Sequence, residues 1–258
     1  MTVLAAQRLS LTLGGKPVLH AVEAAFAAGR VTALLGPNGA GKSSLLACLA
    51  GLQHPVAGRA MLGEGDVRAL PAQQRARRIG FLPQAADVHW NIDVATLVGL
   101  GRLPWRGRWG ETDEDRAAVT QALAATGMAG FARRGVEHLS GGERARALLA
   151  RVLAGRPEWL LADEPLASLD PAHQLEVGAQ LRAVAAAGSG VVLVVHDLNL
   201  AARLADDVVL LRDGGVIAAG PAETTLTATL VGETYGLTVE TGITASGQRY
   251  IVPVATTS

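Results

Sequence analysis

Apolar and polar residues alternate along the first part of the chain and then change to a helical period. Strict alternation in VLAAQRLSLTL, VLHAVEAAF and VTALLG predicts three strands, with a turn at GGKP between the first two. Helical spacing follows from Ala40 to Ala50, with Gly51 as a C-cap, and a short helix from Pro71 to Arg78 leads to the strand IGFLPQ. The chain is therefore expected to begin with a β-rich lobe.

The middle of the chain has the pattern of helices. No convincing strand pattern occurs between Ala85 and Pro157, whereas ETDEDRAAVTQALAATGM and the run after LSGGE have helical spacing, the first with a solvated acidic start. EWLLADEP and SGVVLVVHD are short apolar runs that end in charged residues, as buried parallel strands do. These patterns predict an α/β fold in one domain over residues 1–258, with a helical insertion at roughly 86–156 and a short C-terminal extension at roughly 238–258.

Composition narrows the class of protein. The 258 residues include 23 Lys+Arg and 23 Asp+Glu, so no net charge draws the chain onto nucleic acid. The single cysteine, Cys48, lies in an apolar helical run and is expected in the core, without a redox role. The N-terminus lacks the basic-then-apolar order of a signal peptide, and the apolar runs are too short to span a bilayer. A cytosolic protein is expected.

The segment GPNGAGKSS fits the phosphate-loop pattern G-x-x-x-x-G-K-S between a predicted strand and a predicted helix. Its glycines expose backbone amides to phosphate oxygens, Lys42 reaches the β- and γ-phosphates, and Ser43 is a ligand for Mg²⁺. The predicted nucleotide-binding residues of this loop are Gly36, Pro37, Asn38, Gly39, Ala40, Gly41, Lys42, Ser43 and Ser44.

The carboxyl ends of four predicted strands should meet at this loop. Ligands of open parallel sheets bind at the carboxyl edge, where VTALLG, FLPQ, LLADE and LVVHD would all end. Asp163 is predicted to hold Mg²⁺ through water, and the adjacent Glu164 should point to the opposite face of its strand and serve another purpose. A lone histidine such as His196, which ends an apolar strand, is more often a hydrogen-bonded core residue than a catalytic one.

The motif LSGGE supplies a second candidate phosphate site. Ser140, Gly141 and Gly142 precede a helix-forming run, so their amides would form a donor cluster at a helix N-terminus, where the dipole also favours anions. Two separate phosphate-binding elements in one chain indicate two copies that sandwich the nucleotide between them. A phosphate-loop kinase or small-molecule transferase would not account for the second element. At this point the chain resembles the ATPase subunit of an ATP-binding-cassette (ABC) transporter.

The resemblance implies the remaining roles. The fold would be an ABC nucleotide-binding domain of the P-loop class, with an antiparallel β lobe and a helical subdomain, that works as a homodimer with ATP and Mg²⁺. Glu164 would be the general base that activates the attacking water, His196 would contact the γ-phosphate, and Gln84 would sense Mg²⁺ and water. In Ser168-Leu169-Asp170, Asp170 would tie hydrolysis to dimer closure, but a helix N-cap before Pro171 is an equally good local explanation.

Several details are similar to importer ATPases for ferric siderophores, haem and cobalamin. These are GRLP at 101–104, HDLNLAAR at 196–203 and the tail GPAETTLTATLVGETYG. The similarity implies a separate transmembrane permease, an extracytoplasmic binding protein and a place at the cytoplasmic face of the inner membrane. The alternative is a non-transport ABC ATPase of DNA repair or translation, in which coiled-coil insertions or zinc modules would be expected.

The chain departs from the family pattern at Leu13, which stands where family members often carry an adenine-stacking aromatic residue.

The stretch LPWRGRW combines Trp105 and Trp109 with arginines. Stacking on nucleic acid is disfavoured. Two alternatives stay open, a surface for another protein, since Trp and Arg are enriched at binding hot spots, and a helix-packing loop.

Overall fold

A computed structural model describes residues 2–84, 92–107, 110–167, 169–245 and 247–256. The strands β1 to β12 are Leu4–Leu13, Lys16–Phe26, Val31–Leu35, Ala57–Leu62, Gly65–Asp66, Ile79–Leu82, Trp159–Asp163, Gly190–Val194, Asp207–Arg212, Gly215–Pro221, Leu237–Ile243 and Arg249–Thr256. The helices α1 to α9 are Lys42–Leu49, Ala72–Arg78, Val94–Gly99, Asp113–Ala125, Gly141–Ala154, Pro171–Ala186, Leu198–Leu204, Ala222–Thr225 and Ala228–Tyr235. The predicted strands and helices are present, with ends shifted by one or a few residues.

The centre of the fold is a six-stranded sheet in the order β10-β9-β3-β8-β7-β6. All neighbouring strands in it are parallel except the β9–β10 pair. Strands β3, β7 and β8 are buried along their whole length. Their successive side chains enter two different cores, as Leu160 and Leu161 do, because a strand alternates its faces. This arrangement confirms the predicted α/β class and brings the carboxyl ends of β3, β6, β7 and β8 to one edge.

The predicted N-terminal lobe is an antiparallel sheet in the order β2-β1-β4-β5. It shares one of the two cores with α1 and with the facing side of the central sheet. Cys48 lies in this core, where burial raises the pKa of its thiol to about 11. The thiol is therefore protonated at neutral pH, as a packing residue would be.

Helices α3, α4 and α5 pack on one another in the middle of the chain. No named strand occurs in the described part of residues 85–157, as the apolar pattern predicted. The expectation of a solvated acidic start for α4 was wrong at Asp115, whose side chain is buried and accepts a hydrogen bond from Arg102 Nε at 2.7 Å. Asp115 also completes a capping box with Thr112, and these hydrogen bonds hold its side chain at the first turn of α4, away from solvent.

The C-terminal segment forms a two-stranded antiparallel sheet, β11–β12, that the apolar pattern did not predict. It packs against α9 and α7. The side-chain amide of Asn199 in α7 makes two hydrogen bonds with the backbone of Ile251, one to its carbonyl and one from its N–H. Within the described residues, no helix is long and apolar enough to cross a membrane.

Candidate nucleotide-binding site

The phosphate loop connects the buried strand β3 to α1, and two of its glycines have no room for a side chain. A Cβ on Gly36 would lie 2.0 Å from the carbonyl oxygen of Leu211. Gly41, the N-cap of α1, has a left-handed backbone (φ +95°), and a Cβ there would lie 2.6 Å from Leu19 Cδ2. The close approach of β2 and β9 therefore fixes the path of the loop around the start of α1.

Lys42 is the first residue of α1 and is buried. Its ammonium donates to the carbonyl oxygens of Gly36 at 2.8 Å and Pro37 at 3.0 Å. Burial lowers the pKa of Lys42, while the nearby carboxylates of Glu164 and Asp163 act to raise it. The loop thus holds a partly desolvated cation beside the exposed amides at 38–39, which suits the binding of a phosphate group.

Asp163, the last residue of β7, faces α1. Its Oδ1 accepts a hydrogen bond from Ser43 Oγ at 3.1 Å, and burial raises the pKa of its carboxyl while the Ser43 hydrogen bond acts in the opposite direction. The hydroxyl of Ser43 and the carboxylate of Asp163 are the hard oxygen donors that Mg²⁺ takes, and Gln84, the third predicted ligand, contacts the adjacent Glu164. No cluster of three His, Cys, Asp or Glu side chains occurs among the described residues.

Glu164 lies between Gln84 and His196. Its Oε2 accepts from Gln84 Nε2 at 2.9 Å, and its Oε1 is 2.5 Å from His196 Nε2, a separation that requires a hydrogen between the two atoms. The predicted strand alternation is not what directs this side chain, because β7 ends at Asp163 and Glu164 has a left-handed backbone (φ +51°). Such a conformation is strained for glutamate and is concentrated at functional sites. The structure therefore brings three predicted catalytic residues into contact.

One cleft joins Glu164 and His196 to the phosphate loop. It is lined by Val18, Asn38, Gly39, Gly41, Lys42, Ser43, Ser44, Glu164 and His196. Val18 of β2 is its aliphatic wall on the side of the N-terminal lobe. Leu13, which stands where ABC family members often have an adenine-stacking aromatic residue, lies at the end of β1 and is 40% exposed.

The LSGGE motif lies at the start of α5. Ser140 Oγ accepts from the Glu143 N–H, and Glu143 Oε2 accepts from the Ser140 N–H, which completes a capping box. Gly141 has open space where a side chain would be, whereas a Cβ on Gly142 would lie 3.3 Å from Leu169 Cδ2. In the described part of the chain no hydrogen bond joins Ser140 to the phosphate loop. These residues are thus not brought to the cleft of their own chain.

Asp170 is the N-cap of α6, one of the two roles that the sequence left open. It caps α6 by accepting from the His173 N–H, and its second oxygen is 2.7 Å from His173 Nδ1, with Pro171 as the first helical residue. A part in dimer closure stays a prediction, and Ser168 lies outside the described residues.

Trp105 is 37% exposed and contacts two guanidinium groups, those of Arg77 and Arg102, each 4.9 Å from the centre of its ring. Its indole N–H donates to the Gly155 carbonyl at 2.9 Å. These contacts fit the helix-packing alternative and still leave part of the ring open to a partner. Trp109 lies outside the described residues.

Sequence reasoning missed Tyr235 at this site. The Gly36 N–H donates to the hydroxyl of Tyr235 at 2.9 Å, so this amide is not available to a phosphate. The two residues are 199 positions apart, and only the alternation of strands and helices near the C-terminus signals that α9 exists.

Comparison with known proteins agrees with this geometry. A profile described as ABC transporter matches residues 19–167. The hemin import ATP-binding protein HmuV of Streptomyces coelicolor is 47% identical over 236 residues, which cover 92% of this chain and 84% of that protein. The cobalamin import ATP-binding protein BtuD of Halobacterium salinarum is 42% identical over 248 residues, which cover 95% of this chain and 62% of that protein.

Among solved structures, a chain described as belonging to a metal-chelate type ABC transporter in an inward-facing conformation superposes with a TM-score of 0.85 at 25% identity. The alignment covers 98% of each chain. The relatives are import ATP-binding proteins, so the alternative of a DNA-repair or translation ATPase is not favoured. The chain belongs to the ABC transporter family and is an ATP-binding subunit that hydrolyses ATP.

Proposed function

We propose that this chain powers the import of an iron chelate, haem or cobalamin, as a homodimer bound to a separate membrane permease. The observation that carries the proposal is the contact of Glu164 with both Gln84 and His196 beside the phosphate loop. The names of the relatives, hemin and cobalamin import proteins, support this range of substrates. Such a subunit would lie at the cytoplasmic face of the inner membrane, and a binding protein outside would deliver the substrate.

In this proposal each residue of the cleft has a separate task. The amides of the phosphate loop other than that of Gly36, together with Lys42, bind the phosphates, and Ser43, Asp163 and Gln84 would hold Mg²⁺, which neutralises phosphate charge when bound. Glu164 accepts the proton of the attacking water, and His196 holds the carboxylate of Glu164 in place and faces the γ-phosphate. Asp170 would relay closure of the dimer to this cleft.

The homodimer is supported by the position of Ser140 and Gly141. Their helix N-terminus is exposed, is already capped within its own chain, and is not hydrogen-bonded to the phosphate loop of that chain. A nucleotide held in the cleft of one protomer could therefore meet the α5 N-terminus of a second protomer, where the dipole and the free amides favour phosphate.

Mixing two inactive variants tests this arrangement. Ser140→Arg places a bulky side chain where the phosphate would lie, and Lys42→Ala removes the cation of the loop. In a heterodimer of the two variants, one composite site contains both substitutions and the other contains neither. We expect ATPase activity to recover in part on mixing. Heterodimers that form and stay inactive would contradict action across the interface.

Gly141→Ala provides a finer version of the test. Because a Cβ at this position meets nothing within 4 Å and alanine favours helix, the variant should fold at least as well as the wild type. A methyl group on the face that meets the partner's nucleotide should still lower turnover. Unchanged turnover would indicate that this amide face does not meet phosphate.

The substrate and the permease require a reconstituted complex. We would purify the subunit with its permease, place both in vesicles, and measure ATPase activity and uptake with the binding protein loaded with haem, a ferric siderophore or cobalamin. One of the three should stimulate both activities together. Stimulation by none of them would refute the proposed substrate range without affecting the ATPase assignment.

A further inference from the structure

The first amide of the phosphate loop is paired with a side chain from the C-terminal part of the protein. Tyr235, the last residue of α9, accepts a hydrogen bond from the Gly36 N–H at 2.9 Å. The ring is half-buried, and burial raises the pKa of its hydroxyl to about 12 against the effect of the hydrogen bond. At neutral pH the hydroxyl is therefore an uncharged acceptor.

Gly36 connects Tyr235 to the lysine of the loop through two successive peptide planes that meet at its Cα. While its N–H donates to Tyr235, the carbonyl oxygen of Gly36 accepts from Lys42 Nζ at 2.8 Å. Gly36 is buried, and its Cα is pressed against the Leu211 carbonyl, so the residue turns only as far as these contacts allow. The N–H belongs to the Leu35–Gly36 peptide and the carbonyl to the Gly36–Pro37 peptide, so the tyrosine acts on the acceptor of Lys42 only because the buried Gly36 Cα has little room to rotate between the two planes.

Helix α9 brings the hydroxyl of Tyr235 to the loop on a fixed support. Arg212, at the end of β9, donates to the Glu233 carbonyl at 2.5 Å and so ties the last turn of α9 to the central sheet. The helix then ends at Gly236, whose left-handed backbone (φ +67°) turns the chain into β11. Tyr235 therefore lies between the Arg212–Glu233 hydrogen bond and the turn at Gly236, both at the end of α9.

We propose that Tyr235 is a positioning residue for ATP binding, which acts through Gly36 on Lys42 without touching the nucleotide. By holding the Gly36 N–H, it limits rotation of the Gly36 backbone and keeps the ammonium and the following amides in the arrangement that a phosphate requires, so this order does not have to be created on binding. The inference rests on the proposed role of the phosphate loop, and it gives the C-terminal segment a direct connection to the nucleotide site.

The test uses the two tyrosines of the chain. Tyr235→Phe removes only the hydroxyl and leaves a buried N–H unpaired, and Tyr250→Phe, on the exposed side of β12, is the matched control. We would measure KM for ATP, kcat and the thermal midpoint without nucleotide on the full chain. Tyr235→Phe should raise KM about three- to tenfold, the usual effect of one hydrogen bond, with kcat close to wild type and the midpoint slightly lower because the Gly36 N–H is left unpaired. Tyr250→Phe should change none of these.

A lower thermal midpoint with unchanged KM would overturn the proposal, because Tyr235 would then be only a packing residue. A lower kcat with unchanged KM would overturn it as well. Should Tyr235→Phe not fold, fluorotyrosine incorporated into the Tyr250→Phe chain keeps the shape of the ring and weakens the acceptor, and KM should again rise. Lys42→Ala tests the phosphate loop separately from Tyr235, since unchanged ATP affinity in that variant would refute the role of the loop itself.

Discussion

The Glu164–His196 pair at the sheet edge and the Arg102–Asp115 pair in the helical region differ mainly in burial. Their contacts are 2.5 and 2.7 Å long. The side chains of Arg102 and Asp115 are 3% and 2% exposed, whereas His196 is 42% and Glu164 14% exposed. Arg102 also donates to the Ala154 carbonyl, and Asp115 accepts from Thr112, so the buried pair is satisfied within the chain.

This difference in burial suggests that the Arg102–Asp115 pair serves stability and the Glu164–His196 pair serves activity. A buried pair with its partners in place resists the removal of either member, because the other charge is then left without compensation in a medium of low polarity. Glu164, which lies on a strained backbone and contacts a half-exposed histidine, contributes little to folding and keeps access to water and to a ligand. We therefore expect substitutions in the Arg102–Asp115 pair to change unfolding, and substitutions in the Glu164–His196 pair to change turnover.

The largest effect is expected for Glu164→Gln. The amide keeps the size of the side chain but cannot accept a proton from water, so turnover should fall by roughly 10²–10⁴-fold. ATP should still bind, and the closed dimer should accumulate. Steady-state ATPase assays, nucleotide binding and size-exclusion chromatography with ATP would check this result. Wild-type turnover would show that Glu164 is not the base.

Asp115→Asn should have the next largest effect, on stability. Arg102 would remain buried with only the exposed Glu114, 3.9 Å away, as a counter-charge, which costs about 3 kcal/mol in the free energy of unfolding. Denaturant unfolding measures this change, and turnover per folded molecule should stay at the wild-type level. A loss of turnover in fully folded protein would show that the two regions are not independent.

The same carboxylate gives a pH dependence. The hydrogen bond from the Thr112 N–H, and then that from Arg102, hold the pKa of Asp115 at about 2 in place of 3.8. Because the folded-state pKa is the lower one, the stabilisation is complete above pH 3.8 and is lost as the pH falls toward 2. Wild-type stability should therefore decline over this interval more steeply than that of Asp115→Asn.

The sequence predicted the exposed site far better than the buried one. Glu164, Gln84 and His196 follow separate strands, and parallel strands bring their carboxyl ends together, so their contact could be expected. Asp115 stands in an acidic helix start, where a solvated position is the ordinary outcome, and nothing local marks Arg102 as its partner. Tyr235 and Gly36 are 199 residues apart, and the hairpin β11–β12 covers α9 through tertiary packing. Such contacts depend on the assembled fold.

Trp105→Ala should have an intermediate effect of about 2 kcal/mol on unfolding, because two cation–π contacts and one hydrogen bond are lost. ATPase activity of the isolated subunit should remain. If the exposed part of the ring also meets the permease, assembly or uptake in vesicles should fall further than with Leu103→Ala, a neighbouring exposed residue. Equal uptake by both variants would assign Trp105 to local packing alone.

The smallest effect is expected for Glu158→Gln, and it tests whether burial is what separates the two kinds of pair. Arg78 donates two hydrogen bonds to Glu158, at 2.8 and 2.9 Å, so the geometry is at least as good as in the buried pair. Their side chains are 29% and 46% exposed, however, and water can replace the lost contact. We expect a loss below about 1 kcal/mol in the free energy of unfolding, which added salt should reduce further. Denaturant unfolding of Glu158→Gln and Asp115→Asn at low and high salt makes the comparison directly. Equal costs for the two variants would mean that contact geometry, and not burial, decides how much a charged pair stabilises this fold.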